Sequence, residues 1–297
     1  MTQPPIRTVR RVKDLRTRIA TWRGNGDSIA LVPTMGALHD GHLALVNLAR
    51  KKASRVVVSI FVNPTQFGPH EDLSRYPRDE AGDLAKLAGA QADLVWSPSV
   101  AEMYPDGFAT MIVPAGASLG LEGDIRPHHF GGVATVCAKL FGQVTPDAAI
   151  FGEKDYQQLC VIRQLVRDLN LPLKIIGLPT VREADGLALS SRNRYLSKSE
   201  REAAPALFRE ISKVAAGVAR LATAKKRGLD PAADVKRLCS EAASALLAAG
   251  FTKVDYVAVH DATTLGAITT LSTETNPRVL AAVWLGTTRL IDNIPVT

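Results

Sequence analysis

The sequence predicts an α/β protein: an N-terminal doubly wound, Rossmann-like parallel sheet followed by a smaller α+β C-terminal domain. Three observations carry this expectation. Between Ser28 and about Val181, apolar runs of strand length alternate with helical patterns, the order that yields parallel strands joined by helical crossovers. The first of these runs is apolar throughout, as suits a strand covered on both faces. After Arg182 the texture changes to two long helical patterns and then three strand-like runs. The division falls near Val181 to Asp185, giving a domain over residues 1–182 and a smaller lid domain over 183–297.

Ser28 to Val32 is the first strand, and it runs into PTMGALHDGHLALV (Pro33 to Val46). Gly36 and Gly41 permit the sharp turn this requires. Leu43, Val46 and Leu48, with Arg50, Lys51 and Lys52 trailing, describe an amphipathic helix that starts near Gly41 and ends in cations. RVVVSIFVN (Arg55 to Asn63), DLVWS (Asp93 to Ser97), DAAIFG (Asp147 to Gly152) and LKIIGLP (Leu173 to Pro179) are the next strands. DEAGDLAKLAGA and KDYQQLCVIRQLVRDL are helices between them. LSKSEREAAPALFREISKVAAGVARL opens on a Ser-x-x-Glu cap and is expected as one long helix. A basic link containing Gly228 and Pro231 leads to a second helix ending at Gly250. KVDYVAVHD, RVLAAVWLG and TTRLIDNIPV are strands of the smaller sheet.

Composition narrows the function classes. The chain has 297 residues, 46% apolar and 22% charged, the values of a soluble globular protein. No stretch reaches the ~20 uninterrupted apolar residues of a membrane span, and the basic N-terminus lacks the apolar core of a secretory signal. Cys137, Cys160 and Cys239 form no C-x-x-C pair, which disfavours structural zinc and a disulfide framework and suits a reducing cytoplasm. The net charge of +7 is scattered apart from RTVRR near the start and Lys225 to Arg227. Neither cluster is interleaved with aromatics that could stack bases, so anionic small molecules are expected rather than nucleic acid.

The unusual polar motifs follow strands, and in doubly wound sheets ligands bind beyond the carboxyl ends of strands. His39 and His42 either cap a turn or place imidazole donors beside a helix N-terminus, where they can follow charge on a transferring phosphoryl group. No third ligand sits at a zinc-like spacing from them. Asn63 and Gln66 in FVNPTQF either satisfy loop backbone or fix a small polar substrate through paired donors and acceptors. FGEKDYQQ brings Lys154 as a cation, Asp155 as a hard oxygen ligand suited to magnesium and Gln158 one turn on, or is an ordinary charged first turn. LALSSRNRYLS groups Ser190, Ser191, Arg192 and Asn193 in a donor-rich loop suited to polyphosphate. RPHHFGG is a further basic loop before a helix.

In this order the motifs PTMGALHDGH, SIFVNPTQF, YPRD, RPHHFGGVATVC, IFGEKDYQQ, LALSSRNRYLS and TRLIDNIP resemble the pantothenate synthetase (pantoate–β-alanine ligase) family, a branch of the nucleotidyltransferases related to class I aminoacyl-tRNA synthetases. The resemblance spans most of the chain. It implies an ATP site lined by Met35, Gly36, Ala37, Leu38, His39, Asp40, Gly41 and His42, with His42 as donor to the phosphates and His39 beside it. It implies that Gln66 and Gln158, with Asn63, hold pantoate, and that Gln66 also faces β-alanine. Gly152, Glu153, Lys154, Asp155, Val181, Leu189, Ser190, Ser191 and Arg192 would complete the nucleotide site. Lys154 and Arg192 would neutralise phosphate charge and Asp155 would approach magnesium. A cytoplasmic homodimer is implied as well. Two positions depart from the family: His128 stands where a small residue is usual, so only His129 is carried over, and Gly82 replaces an acid, leaving Asp83.

The implied reaction has two steps. Pantoate carboxylate attacks the α-phosphorus of ATP to give pantoyl adenylate and pyrophosphate, and the amine of β-alanine then displaces AMP. A carboxylate is already a nucleophile, so no Ser or Cys attacker is needed. Two other readings, nucleotidyl transfer to a phosphorylated acceptor and a nucleic-acid-binding module, leave the NPTQF loop and the order of nucleotide motifs without a use.

Overall fold

Apolar runs between residues 28 and 179 hydrogen-bond side by side in the computed structural model, which describes residues 6–69, 71–223, 231–268, 270–271 and 275–297. The strands are β1 (Thr8–Val9), β2 (Ile29–Thr34), β3 (Arg55–Ile60), β4 (Leu94–Trp96), β5 (Ala148–Gly152) and β6 (Lys174–Leu178). They form one parallel sheet in the order β1-β4-β3-β2-β5-β6. Leu31, Val32, Val57, Val58, Leu94 and Val95 lose all solvent contact, on both faces of the sheet, which accounts for their unbroken apolar pattern.

Helices α1 (Val12–Gly24), α2 (Asp40–Arg50), α3 (Glu80–Gly89), α4 (Val100–Met103), α5 (Glu122–Ile125), α6 (His129–Val144) and α7 (Tyr156–Asp168) connect the strands. Leu45, Val46 and Ala49 of α2 and Leu87 of α3 pack with Ala30, Val32, Val58 and Val95 in one core. β2 lies between β3 and β5; the connections from β2 to β3 and from β3 to β4 run toward one edge of the sheet, and that from β5 to β6 toward the other. The loop after β2 leaves from the carboxyl edge of the sheet, the usual ligand position in this topology.

The chain divides into two compact units. The first runs to Glu153 and resumes over Gln157–Pro179; the second comprises Lys154–Tyr156 and the chain from Thr180. In the second unit α8 (Lys198–Ala203), α9 (Ala206–Thr223) and α10 (Pro231–Ala248) accompany an antiparallel sheet of β7 (Lys253–Asp261), β8 (Pro277–Leu285) and β9 (Thr288–Pro295), with β8 central. Leu207, Ile211, Val214 and Val218 put one face of α9 into a core shared with Leu246, Val279, Ala281 and Val283, at the spacing a helix requires. Among the described residues no helix is long and apolar enough to cross a membrane.

Several elements differ from the sequence expectation. The single helix expected over 196–221 is two, α8 and α9, broken at Pro205, which has no N–H to continue the ladder. Its expected cap is present: Glu200 N–H donates to Ser197 Oγ at 3.3 Å, and Ser197 N–H to Glu200 at 2.7 Å. The helix expected from Lys154 begins at Tyr156, after a 3-10 turn over Glu153–Asp155. The one starting near Gly41 begins at Asp40. Strand β1 and helix α1 were not anticipated, although Leu15, Ile19 and Trp22 follow helical spacing and are buried. Residues 224–230 of the basic link, with Lys225 to Arg227 and Gly228, lie outside the described residues.

Asp255 ties the second unit's sheet together. Its side chain is 2% exposed and accepts from Lys253 at 2.8 Å and Arg289 at 2.7 Å, and from Trp284 Nε1 at 2.9 Å. Burial alone would raise its pKa, but the hydrogen bonds from Lys253, Arg289 and Trp284 outweigh this and hold the carboxyl below its ordinary range. Its contribution to stability is therefore complete above the unfolded carboxylate pKa and is lost as pH falls through the lowered folded value. Asp255→Asn is expected to cost about 2 kcal/mol at neutral pH. Thermal melts across pH should also show less acid destabilisation in the variant than in the parent; parallel curves would remove Asp255 from this role.

Candidate active site

The carboxyl end of β2 is pinned first. Thr34 Oγ1 donates to Ser59 O at 2.7 Å on the neighbouring strand. The chain then turns through Gly36 at φ +79° and Ala37 at φ +51°; the second is a left-handed conformation that L-residues with a Cβ rarely adopt. Ala37 and Leu38 donate their N–H groups to the carboxylate of Asp83 at 2.8 and 2.7 Å. His39 is extended and serves as N-cap of α2. Its N–H donates to Nδ1 of His42 at 3.3 Å, and the two rings lie 4.1 Å apart. An Nδ1 that accepts carries no proton, so neutral His42 bears its hydrogen on Nε2. The turn thus presents an imidazole donor at a helix N-terminus, where backbone N–H groups already favour anions.

The loop after β3 is organised by Asn63, which is 1% exposed. Its Oδ1 accepts from Tyr104 OH at 2.8 Å and from Thr65 Oγ1 at 2.9 Å. Its Nδ2 donates to Gly132 O at 3.2 Å and to Gln66 Oε1 at 3.1 Å. Within the protein the amide is engaged at both ends, and its Nδ2 sets the direction of the Gln66 amide. With Oε1 of Gln66 accepting from Asn63, Nε2 points toward Met35 Sδ, 3.2 Å away, which joins the β3 loop to the β2 loop.

RPHHF supplies the support beneath Gln66. Arg126 forks onto Glu71 at 2.7 and 2.5 Å and also donates to Gln66 O at 3.2 Å. His129 Nδ1 lies 2.9 Å from the same carbonyl and therefore donates to it. Burial, reinforced by the Arg126 charge, pushes the His129 pKa down to about 4, so its ring stays neutral at physiological pH. The first turn of α6 comes so close to this loop that a Cβ on Gly132 would lie 2.3 Å from Thr65 O and 2.7 Å from Gln66 N.

After β5, Gln157 and Gln158 separate in role. Gln157 is 4% exposed; its Oε1 accepts from Glu122 N at 3.0 Å, and its Nε2 faces Ala117 O and Gly120 O, each at 3.1 Å. Gln158, one position on, is only half-buried.

Gly152 and Glu153 belong to the first unit; the second holds Lys154, Asp155, Val181, Leu189, Ser190, Ser191 and Arg192. Lys154 Nζ is 3.8 Å from Asp155, whose side chain is 48% exposed. The Lys154 carbonyl accepts from Asn293 Nδ2 at 2.8 Å. Val181 and Leu189 face each other in a hairpin through Leu189 N–H to Val181 O at 3.0 Å, and Ser190 Oγ accepts from Arg192 N at 3.3 Å. Arg182 forks onto Asp292 at 2.6 and 2.9 Å. Burial raises the Asp292 carboxyl pKa despite that partner. Among the described residues no group of three His, Cys, Asp or Glu could hold a metal. A single exposed carboxylate at Asp155 fits magnesium that takes its other oxygens from substrate phosphates and water.

Sequence reasoning missed Tyr104, Glu71 and Lys86 altogether, and named Arg126, Asp83 and the TRLIDN stretch without giving them work. The available signal was the motifs themselves: polar residues of RPHHF and TRLIDN that no reacting group required.

Residues 7–295 match a family model described as pantoate-beta-alanine ligase. A pantothenate synthetase of Mesorhizobium japonicum is 54% identical over 296 residues, covering 100% of this chain and 99% of that protein. The crystal structure of pantothenate synthetase from Thermus thermophilus superposes with a TM-score of 0.87 at 45% identity, covering 98% of this chain and 99% of that one. A pantoate-beta-alanine ligase from Francisella tularensis, crystallised with a β,γ-ATP compound and β-alanine, gives 0.77 at 33% identity, covering 98% and 97%.

Gly132→Ala tests the support of the β3 loop. The added methyl must displace Thr65 and Gln66 backbone, and moving a positioning group by ~1 Å can cost on the order of 10²-fold in rate. The variant is expected to keep its circular dichroism and lose turnover by that order; Gly142→Ala, where no atom lies within 4 Å, should be neutral.

Proposed function

The chain belongs to the pantoate–β-alanine ligase family, and from that premise we propose how its residues share the reaction. The enzyme is an ATP-dependent ligase that condenses pantoate with β-alanine to pantothenate through pantoyl adenylate. In the first step a pantoate carboxylate oxygen bonds to the α-phosphorus while the bond to pyrophosphate breaks. In the second the β-alanine nitrogen bonds to the acyl carbon, loses a proton, and AMP leaves.

Positioning and charge neutralisation carry both steps. Met35 to His42 line the nucleotide, and His42 donates from Nε2 to phosphate oxygens as negative charge moves onto them. The observation that carries this role is the His39 N–H on His42 Nδ1, which selects the tautomer. Gln66 orients pantoate and faces β-alanine with an amide whose direction Asn63 sets, and Gln158 is the second pantoate contact. Gly152, Glu153, Val181, Leu189, Ser190 and Ser191 contact the nucleotide, while Lys154 and Arg192 offset phosphate charge. Asp155 is the side chain assigned to magnesium, whose charge, when bound with the nucleotide, offsets that of the phosphates.

Residues 1–182 make up the catalytic domain in this reading and 183–297 the smaller one. The protein acts in the cytoplasm on small molecules, without nucleic-acid or membrane partners, as a homodimer. Met111 and Val113, 48% and 87% exposed on one segment outside helix and strand, support self-association; light scattering should give the dimer mass rather than 31.8 kDa.

The adenylate route is tested by isotope exchange. With pantoate, ATP and magnesium present and β-alanine absent, labelled pyrophosphate should enter ATP. His42→Ala should lower that exchange by about 10²-fold or more with little change in pantoate affinity. Exchange that requires β-alanine would replace the adenylate by a concerted route. Near-native exchange in His42→Ala, with loss in His39→Ala, would reverse the two assignments.

A further inference from the structure

Asp83 and Lys86 lie on α3, some 40 residues from the histidines, and both reach the same short stretch of backbone. Asp83 is 1% exposed. Its Oδ2 accepts from Ala37 N and its Oδ1 from Leu38 N, at 2.8 and 2.7 Å. Lys86 Nζ donates to Leu38 O at 2.8 Å. Two successive backbone N–H groups, the first from a left-handed residue, form a concavity that binds anions. In a nucleotide-binding loop the expected occupant is a phosphate. Here the occupant is a carboxylate of the protein, and the approach is so close that a Cβ on Gly36 would lie 3.0 Å from Asp83 Oδ2. The side chain of Leu38 has no exposure at all, so the segment is gripped through N–H, carbonyl and side chain at once.

We propose that Asp83 and Lys86 are positioning residues of the ligase reaction, clamping Ala37 and Leu38 in the turn that aims His39 and His42. The proposal rests on His42 being the phosphate donor. Ala37 sits at φ +51°, a conformation that persists only where its surroundings over-determine it. Asp83 supplies that determination, because its carboxylate offers each N–H group a separate oxygen, which an amide of the same size cannot. Lys86 holds the following carbonyl and thereby fixes the peptide plane that leads into His39. The Ala37 and Leu38 donors serve the fold, and phosphate recognition in this motif starts at His39.

The test uses the full-length enzyme and three substitutions. Asp83→Asn keeps the volume but sets an NH2 group against one backbone N–H. Its kcat for pyrophosphate exchange should fall between about 10- and 10²-fold, with the pantoate KM within about two-fold of the parent. Lys86→Met keeps the aliphatic stem and should fall in the same direction by a smaller factor, and Lys86→Arg should recover most of that loss. In a folded protein where Asp83 acts through His42, the Asp83→Asn/His42→Ala double variant should be no slower than His42→Ala alone, since groups that act as a unit are not additive. Parent-like kcat in folded Asp83→Asn, additive losses in the double variant, or equal changes in kcat and KM would each overturn the proposal. If Asp83→Asn does not fold, parent-like kcat in Lys86→Met overturns it. His42→Ala measured alongside separates the two claims: activity in that variant removes the premise, whereas its inactivity beside parent-like Asp83 and Lys86 variants removes only the clamp.

Discussion

A parallel sheet satisfies backbone hydrogen bonds only up to the last ladder residue, and the loops beyond carry chemistry on backbone that has no ladder. Buried N–H and carbonyl groups left unpaired there cost about 1–3 kcal/mol each. This protein meets the constraint by one repeated device, a buried or half-buried polar side chain that grips the loop, either from within it or from elsewhere in the chain. Asp83 grips the loop after β2, and Asn63 and His129 the loop after β3. Within the second unit Asn293 grips the Lys154 segment. The side chains proposed to contact substrate stand on backbone that these groups hold.

Such a scaffold suits a reaction without a protein nucleophile. Both bond-forming atoms belong to substrates, so the protein's contribution is orientation and a field that neutralises phosphate charge. Rigid donors serve this better than titrating ones. The His129 ring, with its pKa pushed down to about 4 by burial, donates from Nδ1 throughout the neutral range. Arg126 stays locked on Glu71, whose carboxyl lies below its ordinary range: burial alone would raise it, but the Arg126 hydrogen bond and charge outweigh that. Neither group needs to change charge during the cycle, so the carbonyl of Gln66 is held the same way before and after each step.

Much of the fold was legible because burial imposes periodicity. The strand expected at residues 253–261 is β7 to the residue; β3, β4, β5 and β6 fall inside their expected runs, and β2 continues two residues beyond Val32. Pro205 was visible in the sequence, yet the amphipathic pattern of α9 begins so soon after it that one helix was expected where there are two. Strand β1 has two residues, too few to show any period. Of the proposed site residues, His39, His42, Gln66, Lys154 and Arg192 stand out in the sequence as polar residues at strand ends or in donor-rich loops. Asn63 stood out for the same reason, but its exposure could not be read from its type. Asp83 was noted as a carboxylate, and its task stayed hidden because the backbone it serves is 45 residues away in the chain.

The pair Gln157 and Gln158 shows why residue type and local position do not separate scaffold from site. Successive residues of a helix point about 100° apart, so two identical side chains in the first turn of α7 must face different surroundings. Gln157 points inward, where its single amide accepts from Glu122 N and faces the carbonyls of Ala117, Leu119 and Gly120. Those groups lie in a segment with almost no regular structure of its own, and an apolar replacement would leave several of them without partners in the interior. Gln158 is rotated out of that environment and keeps partial exposure. Glutamine is suited to both positions for one reason: its amide offers a donor and an acceptor with no charge to desolvate. For Gln157 that property satisfies backbone, and for Gln158 it fits the proposed contact with a hydroxy acid. The difference is set by the helix period and by what packs against each face.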